Sequence, residues 1–113
     1  MLYDLNGNLV TNIPRKTELD RWLRQLTPAE NQAVVDALND ECDKAPKAVT
    51  SSFIPGTYWE GTPYMALYHA CRGNQQHAAF FFGLILWTVI QSRSDDWVFW
   101  RAEEGDGLTY FRK

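Results

Sequence analysis

The chain has almost no cysteine: two in 113 residues, Cys42 and Cys71. Two are too few for a disulfide framework. Each reads as a small buried apolar side chain, with a single bridge between them as the other arrangement. Positive charge is not in excess either. The formal net charge is −3; the first 56 residues hold 6 basic and 8 acidic side chains, and the remainder 5 and 6. Neither half is the kind of basic patch that binds nucleic acid by releasing counterions. The opening residues, MLYDLNGNLV, contain no basic stretch followed by an apolar one, so no secretory signal is visible and a cytoplasmic location is expected. No apolar run approaches the roughly 20 residues that a membrane-spanning helix requires.

Recognisable chemistry is equally sparse. There is no Gly-x-Ser-x-Gly elbow, no phosphate-binding loop and no Gly-x-Gly-x-x-Gly. His69, Cys71, His77 and Cys42 are metal-capable, but His69-Ala70-Cys71 has neither the Cys-x₂₋₄-Cys nor the His-x₃₋₅-His spacing of a zinc site. Cys71 with His69 or His77 and Glu60 would supply the residue types for thiol catalysis. Cys71, however, falls on the apolar face of its helix, where nothing activates it. Asp4-Leu5-Asn6-Gly7-Asn8 begins like a calcium loop, yet Leu9 stands where Gly is needed and Arg15 where a bidentate Glu is needed. No metal and no cofactor are expected, and the reading leans against an enzyme. The string Tyr3–Leu9 also resembles one YD repeat of the RHS family. Those folds need many copies to build a shell, and turn chemistry alone accounts for a single one.

What the chain does contain is a run of thirteen uncharged residues, Ala78–Ile90, in which Thr88 carries the only hydroxyl. A segment apolar on nearly all sides must be wrapped by the rest of the protein or by a partner. Charged and polar flanks (Gln75, Gln76 and His77 before it, Arg93, Asp95 and Asp96 after it) make it a central core helix. With 45% apolar residues and five tryptophans, the chain has enough material for one domain spanning residues 1–113.

Spacing and punctuation then place the elements. Tyr3–Thr11 reads as a short β-hairpin with Asn6-Gly7 in a type I′ turn. Thr17 is the expected N-cap of a helix whose Leu19, Trp22, Leu23 and Leu26 share one face. Thr27-Pro28-Ala29-Glu30 is a capping box with Pro at the first helical position, opening a second helix with Ala33, Val34, Ala37, Leu38 and Cys42 inward. Ala45–Gly61 reads as irregular, pinned by Phe53, Ile54, Tyr58 and Trp59. A third helix, Pro63–Arg72, carries Tyr64, Leu67, Tyr68 and Cys71 on one side, and Gly73 is its stop. Asn74 caps a fourth helix from Gln75 to about Ser92. Gly83 in its middle costs roughly 1 kcal/mol relative to Ala, which a close helix–helix or helix–sheet approach would explain. Trp97–Ala102 and Leu108–Arg112 read as two strands, apolar on both faces and therefore partly covered on both.

The expected fold is α+β: about four helices around a central apolar helix, with a short N-terminal and a larger C-terminal hairpin. From about Thr62 to Lys113, the order helix, Gly-Asn turn, helix, hairpin resembles a winged-helix arrangement. In a DNA-reading version, Arg72, Arg93, Arg101 and Arg112, with Lys113, would line one edge. The almost wholly apolar reading helix and the Glu-Glu-Gly-Asp-Gly wing tip oppose that role. A second candidate surface is the aromatic group Phe53, Tyr58, Trp59, Tyr64 and Tyr68, with Glu60 among them. Aromatic side chains on loops offer large contact area for little lost entropy, although the same residues can simply seal one end of the core. The preferred function is a non-catalytic interaction or regulatory module that binds a protein partner or itself. Part of the central helix, or the two-faced strand Trp97–Trp100, would then be completed by a second copy. The alternatives are a nucleic-acid-binding regulator and a small ligand binder or enzyme using the Tyr58–His69 region.

Overall fold

Helix starts and stops are set largely by local chemistry. The computed structural model describes residues 1–45, 48–50, 59–101 and 108–113. Helix α2 (Pro28–Lys44) opens with the expected capping box: Thr27 Oγ1 accepts from the Glu30 N–H at 3.1 Å, and Glu30 Oε1 accepts from the Thr27 N–H at 2.9 Å. Helix α4 (Gln75–Ser92) is capped by Asn74, whose side-chain oxygen accepts from the His77 N–H at 3.0 Å. Between helix α3 (Met65–Ala70) and α4, the chain reverses through Arg72 and Gly73, both at positive φ (56° and 76°). Gly73 is the stop that the sequence suggests, and its N–H reaches back to the Tyr68 carbonyl at 2.9 Å. Helix α1 (Lys16–Leu23) differs from expectation. Its N-cap is Arg15, held at φ 50° with no side-chain cap, so Thr17 lies inside the first turn. The Arg15 guanidinium rests 4.7 Å from the Phe80 ring centre, a contact between elements that no local pattern announces.

Among the described residues, four strands form one sheet in the order β1 (Leu2–Tyr3), β3 (Trp97–Arg101), β4 (Leu108–Arg112), β2 (Ala48–Thr50). β3 and β4 pair antiparallel in the middle, from Trp97 opposite Arg112 to Arg101 opposite Leu108. β1 joins β3 in parallel, and β2 joins β4 antiparallel. Two expectations change here. The stretch read as irregular contributes β2, a three-residue edge strand too short to carry its own alternation signal. The N-terminal segment uses most of its pairing capacity on β3, leaving one antiparallel bridge, Tyr3 to Leu9. Its turn is not type I′: Gly7 is at φ 83°, while Asn6 has no positive φ, and Asp4 Oδ1 accepts from the N–H groups of Asn6 and Asn8 at 2.9 Å each. Asp4 therefore organises the turn through its side chain.

The helices α1, α2 and α3 pack on α4, and α4 meets the sheet through Trp87, whose ring lies 5.0 Å from Phe99 and 6.5 Å from Tyr110. Nine side chains of α4 are buried. The Trp87 indole donates to the Asn12 carbonyl at 3.0 Å, and Gln91 donates to the same carbonyl at 2.8 Å, which ties the connector after Leu9 to the central helix. The apolar run is thus largely wrapped by its own chain. On α2, Val34, Leu38 and Cys42 are buried as expected, whereas Ala37 is half-buried and Ala33 is exposed. Gly83 also departs from expectation: a Cβ built there meets no atom within 4 Å, so close approach of another element is not why it is glycine. The radius of gyration, 13.5 Å, matches the roughly 13 Å of a compact domain of this length. Among the described residues, no helix is long and apolar enough to cross a membrane.

Candidate interaction surface

Strand register sorts the sheet into two faces, because directly opposed residues project to the same side. Trp97, Phe99, Tyr110 and Arg112 face the helices. On the other side, one row crosses the whole sheet: Leu9, Tyr3, Val98, Phe111 and Ala48 stand opposite one another in turn. A second row holds Trp100 opposite Thr109. Met1 joins the first row by its contact with Tyr3, whose hydroxyl lies 3.7 Å from the Met1 sulfur. Six large apolar side chains stand out as exposed among the described residues, and four of them belong to this outer face: Met1 at 46%, Leu9 at 52%, Trp100 at 43% and Phe111 at 42%. Lys113 borders it, with Nζ 4.2 Å from the Tyr3 ring centre. The C-terminal strands are covered by the helices on one side; among the described residues, no element lies over the other.

The residues singled out from sequence are distributed elsewhere. Tyr64 is 4% exposed and belongs to the core, edge-on to Phe82 at 5.4 Å. Burial pushes its hydroxyl pKa up to about 12. Trp59 is half-buried, packing on Phe82 at 5.8 Å and Tyr64 at 6.4 Å. Tyr68 is half-buried and its hydroxyl lies against Gly73, while Glu60 is at the surface. Trp59 and Tyr64 thus meet at one end of the core, with Tyr68 one turn further along. Phe53 and Tyr58 lie outside the described residues.

Of the four arginines, Arg93 and Arg112 converge on one carboxylate. Arg93 donates to both oxygens of Asp95 at 2.9 and 3.0 Å, to Asp43 at 2.6 Å and to the Asn39 side chain at 3.0 Å. Arg112 donates to Asp95 at 2.7 Å and to the Cys42 carbonyl at 2.6 Å, with its guanidinium 4.7 Å from the Trp97 ring centre. The Trp97 indole also donates to Asp95 at 2.8 Å. Hydrogen bonding from Arg93, offset in part by burial and aided by Trp97, holds the Asp95 carboxyl near a pKa of about 2. The Arg93 guanidinium is only 12% exposed and is held more firmly protonated than usual, chiefly by Asp95. This cluster ties α2 to the end of α4 and to β4. Arg72, in the α3–α4 turn, and Arg101, at the end of β3, are exposed and not part of it.

Both cysteines are buried and free, and burial raises each thiol's pKa, the opposite of an activated nucleophile. His77 is exposed with its ring 5.7 Å from Trp22, and His69 is exposed at the last turn of α3. Among the described residues, no three His, Cys, Asp or Glu side chains are placed to hold a metal ion.

No protein-family model, curated protein or solved structure matches this chain. The functional argument therefore rests on the surface itself. Sequence reasoning found that Trp97–Ala102 is apolar on both faces, without saying which face turns outward, and missed Met1, Leu9, Tyr3 and Phe111 as neighbours of Trp100. Alternation in Leu108–Arg112 was the available signal for Phe111. For Met1, Leu9 and Tyr3 there was none, because their membership depends on a parallel pairing across more than ninety residues.

Proposed function

We propose that this protein is a non-catalytic interaction module of the cytoplasm, and that it works through the outer face of its sheet by binding a protein partner or a second copy. The single observation that carries this reading is the concentration of exposed Met1, Leu9, Trp100 and Phe111 on one face, around Tyr3 and Val98. Single exposed apolar side chains are ordinary, whereas several gathered on one face point to a site of association. Aromatic side chains supply most of the contact energy in such sites. The aromatic group around Trp59 and Tyr64 is the weaker candidate, since Tyr64 is spent on the core.

A nucleic-acid role on a winged-helix-like arrangement of residues 62–113 has less behind it. The order α3, turn, α4, β3, β4 and the exposed Arg72 and Arg101 favour it. Against it, α4 is the helix that the core consumes, and Arg93 and Arg112 are committed to Asp95.

The test uses the apolar dye anilinonaphthalene sulfonate with the wild-type chain and the surface variants Trp100→Lys and Phe111→Lys. Because Trp100 and Phe111 sit on the open face, both variants are expected to keep the wild-type far-ultraviolet spectrum. The folded wild type is expected to enhance dye fluorescence, and each variant to lose most of that enhancement. A wild-type chain that leaves the dye dark, or variants that bind it equally well, would defeat this reading.

A further inference from the structure

We infer that Asn6 is a self-modification site, where the chain converts asparagine to aspartate and isoaspartate, and that Asp4 sets the rate. This stands on the chemistry of one turn and not on the interaction-module reading. It bears on that reading because the turn carries Leu9 to the outer face.

Asparagine is a chemically labile side chain. Its conversion begins when the amide nitrogen of the next residue loses its proton and attacks the asparagine Cγ. The Cγ–Nδ2 bond breaks, ammonia leaves, and a cyclic succinimide remains. One water then opens the ring. Addition at Cγ gives aspartate. Addition at the backbone carbonyl gives isoaspartate, in which the main chain runs through Cβ and Cγ. Water is the only co-reactant, and nothing is oxidised or reduced.

Of the six asparagines, Asn6 alone is followed by glycine; the others precede Leu9, Ile13, Gln32, Asp40 and Gln75. A residue without Cβ leaves the attacking nitrogen unhindered. The fold favours the same position. Asn31 and Asn39 are fixed within α2, and the Asn39 side chain accepts from Arg93 at 3.0 Å. The Asn74 side chain caps α4, and Asn8 Nδ2 donates to Asp4 at 3.2 Å. Asn6 and Gly7 are both exposed, and the turn's hydrogen bonds engage the Asn6 backbone rather than its side chain.

The turn also restrains the reaction. The Gly7 N–H donates to the Asp4 carbonyl at 3.1 Å, and Asp4 Oδ1 accepts from the N–H groups of Asn6 and Asn8 at 2.9 Å each. To reach Cγ, the Gly7 nitrogen must give up its bond, and the backbone around it must yield. A carboxylate beside the reacting amide also disfavours the anion that this amide has to become.

The product alters the turn in two ways. Either acid places a second carboxylate next to Asp4, where like charges repel. Isoaspartate also adds one backbone atom between Tyr3 and Leu9, which are bridged across the base of the turn. Both changes pull on that bridge, and the bridge is what seats Leu9 in its row on the outer face.

The test is prolonged incubation of the full chain in warm, mildly alkaline buffer, followed by peptide mapping with mass spectrometry. The folded wild type is expected to gain the mass of an amide-to-acid conversion at Asn6 before any other asparagine. Folded Asp4→Ala is expected to convert about fivefold faster, the factor that one ordinary hydrogen bond represents. Asp4→Asn keeps an acceptor oxygen but not the charge, and is expected to fall between the two. The wild type unfolded in guanidinium chloride is expected to convert at Asn6 at least as fast as Asp4→Ala. Asn6→Gln is expected to gain no mass at that position. In the modified wild type, separated by its extra negative charge, the Tyr3 and Leu9 resonances are expected to move while those of α1, α2 and α3 stay fixed. First conversion at a different asparagine, or an Asp4→Ala chain that converts no faster than wild type, would overturn the assignment. Unmoved Tyr3 and Leu9 resonances would overturn its bearing on the outer face.

Discussion

At the scale of single residues, Gly83 and Asp95 show how one side chain, or its absence, is read in context. Gly83 lies mid-helix at ordinary helical dihedrals, and a Cβ there would meet open space. A helix-interior glycine carries more unfolded-chain entropy than alanine and gains nothing here in return. Gly83→Ala is therefore expected to stabilise the protein by about 0.5–1 kcal/mol, read as a rise of a few degrees in melting temperature by calorimetry. The glycine was legible in sequence, but its surroundings were not: whether another element crosses a helix is a tertiary fact. Asn74, Gly73 and the Thr27–Glu30 capping box were all legible, because each acts within four residues of itself. Arg15 was not. Its left-handed backbone and missing cap accompany a guanidinium stacked on Phe80, sixty-five positions away in the sequence.

At the scale of elements, the Asp95 cluster is what joins the helical layer to the strands. Arg93 at the end of α4 reaches α2 through Asn39 and Asp43, while Arg112 on β4 reaches the α2 terminus through the Cys42 carbonyl. Asp95 links the two arginines. Its carboxyl has a folded pKa of about 2, below the ordinary value of 3.8. The sign follows from that depression. The stabilisation is present above the unfolded value and is lost as pH falls through the folded one, mostly between about pH 5 and pH 2. Because the side chain is 28% exposed, solvent screening reduces the contribution to about 1–2 kcal/mol. Asp95→Asn is expected to be less stable at pH 7 and to lose less stability between pH 5 and pH 2 than the wild type, as measured by urea titration at each pH. A variant with the full wild-type acid dependence would remove Asp95 from this role. Sequence reading assigned these arginines to a nucleic-acid edge because it weighed their charge without their partners. Asp43 and Asp95 lie 52 positions apart and come together only in the fold. The strands themselves divide in the same way. β3 and β4 were visible from their alternation, but β1 and β2, of two and three residues, are defined by what they pair with.

At the scale of the whole molecule, the chain has a closed side and an open one. Four helices and the inner face of the sheet enclose the core, and Trp87 connects the two layers. The outer face has no element over it among the described residues, yet it carries Met1, Leu9, Trp100 and Phe111. The sequence contained half of this contrast. The pattern Trp97-Val98-Phe99-Trp100 showed a strand apolar on both sides, and apolar residues on both sides require two covers. No described element of this chain supplies the second cover, and supplying it is the role proposed here for an interaction partner. The apolar run of α4, which first suggested a surface needing a partner, is mostly satisfied internally. Phe80 is its exposed exception, and it is already covered in part by Arg15 and Trp22.

The account centres on the outer face as the working surface, and titration with anilinonaphthalene sulfonate followed by two-dimensional nuclear magnetic resonance examines that residue by residue. As the dye is added, signals from Met1, Tyr3, Leu9, Val98, the Trp100 indole and Phe111 are expected to move together. Those of α1, α2 and α3 are expected to stay fixed. Dye-induced shifts centred on Phe80 and Trp22, or on Trp59 and Tyr64, with the outer face unmoved, would contradict it.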